Sequence, residues 1–317
     1  MLMENNDYRE LQDAPEVPVI IIERDDEPEF SVTNQNEEFL AQYYEPRRSN
    51  KKGWVKWMVW GIVVVVVLCG IFAGYKYWAH YYNLGVRISV SPEENIDKLK
   101  QTPEAEAPFV EMKSDSVLGV ALDIFAIHGL QGTIEFQEPD TADASVYLYC
   151  RSSDFKADGR YIGTLVSKGI QMSNDNHRLG YMAMANGVNV IGIARSEAVK
   201  DYVIEQRGSF FRQFVLVSDG ELPPRFHLHG KVERCALGRM GDRLYFISSR
   251  NKETMWSFAD ALREYGFTDA IYITGGKDYT FYRDQNGVRH DIHNVADYPH
   301  KKWKGIIPWL VFRKSGE

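Results

Sequence analysis

Residues 234–276 read RCALGRMGDRLYFISSRNKETMWSFADALREYGFTDAIYITGG, and the order of apolar patterns within them decides the fold. Leu244-Tyr245-Phe246-Ile247 is rich in β-branched and aromatic residues, the composition that fits a pleated, half-buried surface. Met255, Phe258, Leu262 and Tyr265 then recur at spacings of three and four, which puts them on one face of a helix over 254–265. Thr254 and Gly266 stand at its cap positions. A threonine hydroxyl accepts a first-turn N–H, and glycine takes the left-handed conformation that ends a helix. Ala270-Ile271-Tyr272-Ile273 returns to the strand pattern and stops at Gly275-Gly276.

Outward from this stretch, further strand-like runs occur at Val146-Tyr147-Leu148-Tyr149, Val188–Ile193, Phe214–Val217 and Tyr279–Tyr282. The last leads into Asp284-Gln285-Asn286-Gly287, whose Asn-Gly pair marks a hairpin turn. Helices and short strands that do not alternate strictly predict an α+β domain, a mixed sheet with helices, over 109–317. No internal repeat is present.

From Trp57 to Tyr75 the chain carries no charge for nineteen residues, including Val63–Val67. At about 1.5 Å per residue, that run nearly spans a hydrocarbon core of about 30 Å. Trp54, Trp57 and Trp60 at one end and Tyr75, Tyr77 and Trp78 at the other form two interfacial belts. One transmembrane helix is expected at 54–80. Arg47, Arg48, Lys51, Lys52 and Lys56 precede it, so the positive-inside bias predicts a cytoplasmic N-terminus and an extracytoplasmic C-terminal domain, as on the periplasmic side of a bacterial inner membrane.

Residues 1–45 hold thirteen Asp/Glu against two Lys/Arg, a net −11 within a chain total of −7, which leaves +4 for the other 272 residues. That field is too weak to point to nucleic acid. Residues 1–53 are expected to be a disordered acidic tail with a basic juxtamembrane end, available to a cytoplasmic partner; Val17–Ile22 within it can add as a strand to a partner's sheet. Residues 81–108, with Pro92, Pro103 and Pro108, are expected to act as a spacer. Cys150 and Cys235 are the two cysteines of the folded part, and pairing or two buried thiols both fit.

The series Arg234-Cys235-Ala236-Leu237-Gly238, strand, helix, then Gly266 to Gly276, resembles the phosphodiester glycosidase family. Its pattern is Arg-Thr-Ala-x-Gly, strand, helix, Gly-x-x-x-Ala-x-x-Leu-Asp-Gly-Gly, a polar loop and a closing strand. Ile306–Phe312 fits the closing strand, and Met184-Ala185-Asn186-Gly187 resembles an upstream Ala-x-Asn-Gly step. The chain departs from the pattern at Thr274, where the family has an acid, at Cys235, and at Val188. A hydroxyl in place of a carboxylate cannot serve as a glycosidase nucleophile or base in the usual way.

The resemblance implies a phosphodiester-glycosidase-like domain, and the candidate site residues are Asn186, Thr274 and Asp278 at the reacting centre and Gly187, Arg234, Gly275, Gly276 and Lys277 on the substrate. Lys277 and Asp278 fall in the family's variable loop and enter on chemistry alone, as a phosphate contact and the nearest carboxylate. A guanidinium offers a planar fork of donors matched to two phosphate oxygens, which is the case for Arg234; a structural ion pair is its other reading. Gly-Gly after a strand lets N–H groups approach an anion, or makes an ordinary turn. The expected ligand is a sugar-phosphate diester of envelope glycans, cleaved or bound, with a catalytically inactive binding or scaffold protein as the alternative. No cofactor can be named and no metal is expected: His227/His229 and His290/His293 read more readily as solvated or hydrogen-bonded side chains than as ligands.

Overall fold

The computed structural model describes residues 51–81, 85–103, 105–156, 158–175, 177–226, 228–275, 279–292 and 306–314. The acidic tail with Val17–Ile22, and Arg47 and Arg48, lie outside the described residues. The chain divides into two compact units, 1–67 and 68–317.

Helix α1 runs Lys51–Tyr81, and its Gly53–Ala79 stretch is long and apolar enough to cross a membrane. Its valines and its tryptophans Trp54, Trp57 and Trp60 are exposed, as expected of side chains that face lipid.

The described strands of the globular part form three sheets, and every strand pairing among them is antiparallel. Strands β1 (Phe109–Val117), β2 (Val120–His128), β10 (Val215–Val217), β11 (Arg234–Met240), β12 (Arg243–Ser249) and β13 (Asp269–Gly275) form the first, in the order β1-β2-β12-β11-β13-β10. The second contains β3 (Leu130–Glu135), β4 (Val146–Arg151), β14 (Tyr279–Arg283), β15 (Arg289–Asp291) and β16 (Trp309–Lys314), ordered β15-β14-β4-β16-β3. The third is β6-β5-β9-β7-β8, from β5 (Leu165–Ser167), β6 (Ile170–Ser173), β7 (Gly180–Ala185), β8 (Val188–Ile193) and β9 (Ser209–Gln213).

All three sheets turn one face to a common core. Phe125, Leu237 and Ile271 of the first, Leu148 and Phe312 of the second, and Met182 and Phe211 of the third belong to one buried cluster. Because side chains alternate across a strand, the neighbours Ile124, Ala236 and Ala270 point the other way, where helix α4 (Met255–Tyr265) covers them. Phe258 and Leu262 of α4 are fully buried there, each contributing about 1.5–3 kcal/mol. The caps of α4 are as expected: Thr254 accepts from Ser257 N–H at 2.9 Å, and Gly266 closes the helix at φ 110°.

Within the stretch expected as a spacer, Pro92–Leu99 forms α2, capped by Ser91, with Asn95 and Leu99 buried. It packs with α3 (Ala198–Glu205) on the third sheet, over Tyr181, Ala183 and Phe210. Proline at a helix's first position needs no N–H partner, so Pro92 starts this helix. Cys150 and Cys235 are buried and form no disulfide with each other, Cys235 lying 3.7 Å from the Ser248 hydroxyl. Asn286-Gly287 makes the expected β14–β15 hairpin, with the Asp284 carboxylate accepting from the N–H groups of Asn286 and Val288.

Candidate functional site

β11 begins at Arg234 beside the end of β13, where Arg234 pairs with Gly275. Between that pair and Ala236–Tyr272 the register slips, because two steps on β11 face three on β13. The bulge holds Thr274, fully buried, with no hydrogen-bond partner for its hydroxyl among the described residues. A Cβ at Gly275 would lie 2.9 Å from the Tyr272 hydroxyl and 3.2 Å from Val232 Cγ2, so these side chains would have to shift to admit one.

The Arg234 guanidinium is also buried. Its Nε donates to the Glu253 carbonyl at 2.8 Å and its Nη2 to the Gly230 carbonyl at 2.9 Å, while the group lies 5.7 Å from the Tyr272 ring centre. Nη1 is buried and finds no acceptor among the described residues. Burial pushes the Arg234 pKa down, against Tyr272, which favours the charged form. One edge of the fork is thus spent on backbone carbonyls, and Nη1 has no acceptor among the described residues.

Gly276, Lys277 and Asp278 lie outside the described residues. On their far side Tyr279 enters β14 opposite Cys150, whose neighbour is Arg151. Arg151 is buried as well, and its Nη2 donates to Asp154 at 2.5 Å. The end of β13 thus lies beside Arg234, and the start of β14 beside the end of β4 that carries Arg151. Arg151 was not singled out from the sequence. An arginine directly after the apolar run Val146–Cys150 was the available signal.

Asn186 and Gly187 are elsewhere. They form the two-residue turn between β7 and β8, both at positive φ, 52° and 81°. The Asn186 amide donates to the Leu99 carbonyl at 3.0 Å and the Tyr202 hydroxyl at 3.2 Å, tying the turn to α2 and α3. Gly187 lines a cavity of about 1000 Å³ whose opposite wall is the β11–β12 hairpin, Arg239 to Tyr245. That hairpin is the other end of β11 from Arg234, about 20 Å away at about 3.3 Å per residue. The fold brings Arg234, Thr274 and Gly275 together and leaves Asn186 and Gly187 apart from them.

At the cavity mouth, Glu106 accepts from Gly129 N–H at 3.0 Å and from Arg243 at 3.1 Å, and lies 2.8 Å from His128 Nδ1. Burial pushes the Glu106 pKa up, but the hydrogen bonds from His128, Arg243 and Gly129 outweigh it and hold the carboxyl below its ordinary range. His128 stacks on Phe109 with ring centres 3.9 Å apart. No group of three or more His, Cys, Asp or Glu placed to hold a metal occurs among the described residues. His290 bonds Asp284 at 2.8 Å, and His227 and His293 lie outside the described residues.

These features define a chain with one helix long and apolar enough to cross a membrane and an α+β globular unit whose described strands form three antiparallel sheets, with the buried Arg234 and Arg151 at strand ends. No protein-family model matches the chain, and no curated protein does. Among solved structures, it is similar to the catalytic domain of zebrafish N-acetylglucosamine-1-phosphodiester alpha-N-acetylglucosaminidase, auto-inhibited by its pro-peptide, at 13% identity and a TM-score of 0.46, over 68% of this chain and 85% of that one. It is also similar to a hypothetical protein from Synechocystis at 10% identity and a TM-score of 0.48, over 64% of this chain and 62% of that one. No residue role is carried over from either.

Proposed function

We propose that this is a single-pass membrane protein, N-terminus cytoplasmic, whose extracytoplasmic unit binds sugar-phosphate diesters of envelope glycans without cleaving them. The observation that carries the reading is a buried pair of polar groups beside Gly275, the Nη1 of Arg234 and the hydroxyl of Thr274, for which no partner occurs among the described residues. Buried donors are normally paired, and a phosphate oxygen is the acceptor that suits a guanidinium best. Binding is favoured over hydrolysis because the position that the family resemblance assigns to an acid is Thr274, which offers no carboxylate as nucleophile or base. The acidic tail serves a cytoplasmic partner in this reading.

The test is calorimetric titration of the full chain in nanodiscs with sugar-1-phosphodiesters, alongside a hydrolysis assay. Binding with no turnover is expected, and Arg234→Met should weaken it at least about tenfold, the worth of one charge-assisted hydrogen bond. Thermal melting of the variant separates lost binding from lost folding. Turnover by the natural chain would refute the binding-only reading. No binding, or binding unchanged in a folded Arg234→Met, would reject the site.

A further inference from the structure

Residues 85–87 tie the end of helix α1 to the globular unit. A Cβ on Gly85 would lie 3.1 Å from Pro224, Val86 packs with Val215, and the Arg87 carbonyl accepts from the Ser218 hydroxyl at 2.5 Å. The chain therefore passes β10 in the direction Val215 to Ser218. Val215 pairs with Ile271 and Val217 with Ala270, so Arg87 lies towards the start of β13 and the chain arrives from the side of its end, Gly275. Arg234 pairs with Gly275 at that end. Gly85 is only four residues beyond Tyr81, the last of α1, a reach of about 14 Å at about 3.3–3.6 Å per residue.

Exposed apolar side chains gather at the same end of the first sheet. Leu118 occupies the β1–β2 turn, which lies beyond the end of β12 because Leu122 pairs with Ser249. The Ser249 hydroxyl in turn accepts from Arg234 N–H at 2.8 Å. Val232 bridges Glu253 just ahead of α4, and the Gly230 carbonyl accepts from Arg234. Trp256, in the first turn of α4, is 56% exposed, and Leu118, Leu228 and Val232 are exposed as well.

A sheet turn, a loop and a helix start thus present apolar tips on the side from which the membrane segment arrives. Exposed apolar patches mark interaction surfaces, and tryptophan is enriched at the headgroup layer, where its ring is buried while its N–H stays wet. Charge singles out no other partner, since Arg225 and Lys231 of the loop are matched in number by Glu221 and Glu233. Ile170 makes the contrast: it is exposed too, but it pairs with Ser167 at the far end of the third sheet from Leu179 and Ile193, on which Val86 packs.

We propose that this end of the globular unit docks into the lipid surface that α1 spans, through Leu118, Leu228, Val232 and Trp256. The inference rests on the membrane reading of α1 and is independent of glycan binding.

The probe is an environment-sensitive nitrobenzoxadiazole label on one cysteine at a time in a Cys69→Ser background, Cys150 and Cys235 being buried. The full chain is held in phosphatidylcholine nanodiscs whose acyl chains are brominated near the headgroup or near the methyl end. Labels at Leu228→Cys, Val232→Cys and Trp256→Cys should shift to the blue and lose emission to the headgroup-side bromines, as groups buried about 5–10 Å into the interface do. Val65→Cys, in the middle of α1, should be quenched by the methyl-end bromines, and Ile170→Cys by neither. If the Val65 label is quenched and the three are not, docking is refuted while the membrane reading stands. If the Val65 label is not quenched, both fall. A blue shift at the three positions without quenching means a protein cover and overturns the proposal, as does equal quenching at Ile170.

Discussion

The ion pair between Arg239 and Asp269 should respond asymmetrically to removal of its two partners. Asp269 has no exposed surface, whereas Arg239 is one quarter exposed at the cavity wall. The Arg239 Nε and Nη2 both bond the same carboxylate oxygen, and the other oxygen accepts from Asp219 N–H at 3.3 Å. Arg239→Ala leaves a buried carboxylate with only Asp219 N–H and the Thr268 hydroxyl, 3.5 Å away. Breaking a buried pair this way costs about 3–5 kcal/mol, and the remaining donors place this case near about 3. Asp269→Asn keeps an acceptor for Asp219, and the freed guanidinium can turn to water, so about 1 kcal/mol is expected. At about 2–4 °C per kcal/mol for a domain of this size, melting should fall by about 6–12 °C in the first variant and about 2–4 °C in the second. The double variant should lose less than the two together, because once the carboxylate is gone the arginine has little to neutralise. Calorimetry on the three variants decides it. If Asp269→Asn costs as much as Arg239→Ala, burial of the carboxylate does not govern this pair, and the reasoning fails.

Two further outcomes follow from local geometry. Thr254→Ala should cost about 1 kcal/mol through loss of the α4 cap, with Thr254→Ser restoring most of it in thermal melts. Asp143 is held down to about 2 by the Ser145 N–H, then the Ser145 hydroxyl, then Arg313. A lowered carboxyl pKa stabilises the fold above its unfolded value of about 3.9, and the contribution is lost as pH falls through the folded value. The Asp143 carboxyl carbon should therefore titrate near 2 by NMR, and higher in Ser145→Ala; an ordinary midpoint in the natural chain would contradict the geometry.

Much of the secondary structure could be read locally. Period and caps gave α4 its bounds at Thr254 and Gly266, uninterrupted apolarity gave α1, and β-branched runs located β4, β8, β12, β13 and β14. Residues 92–99 were harder, because three prolines among charges read as a spacer, although Ser91, Pro92 and the acidic first turn Glu93-Glu94 are helix-start signals. The site was less legible still. Arg234 as clamp and Arg234 as strut share one sequence, and only the fold shows its guanidinium on the carbonyls of Gly230 and Glu253, residues 4 and 19 positions away. Asn186 lies with Leu99 and Tyr202 instead of Arg234 because the third sheet carries the β7–β8 turn to the opposite end of β11, a matter of strand order that no local pattern encodes.

The place of β16 in the second sheet has a consequence for biogenesis. It lies between β3 and β4, so β3 waits for its neighbour across some 170 residues of later synthesis. Until then, two strands stay open on the sides meant to meet β16, and loop closure over that length is slow. Maturation of this unit should therefore wait on β16 and lean on holdase chaperones until then, and deletion of Trp309–Lys314 should yield an aggregation-prone species instead of a shortened but native one.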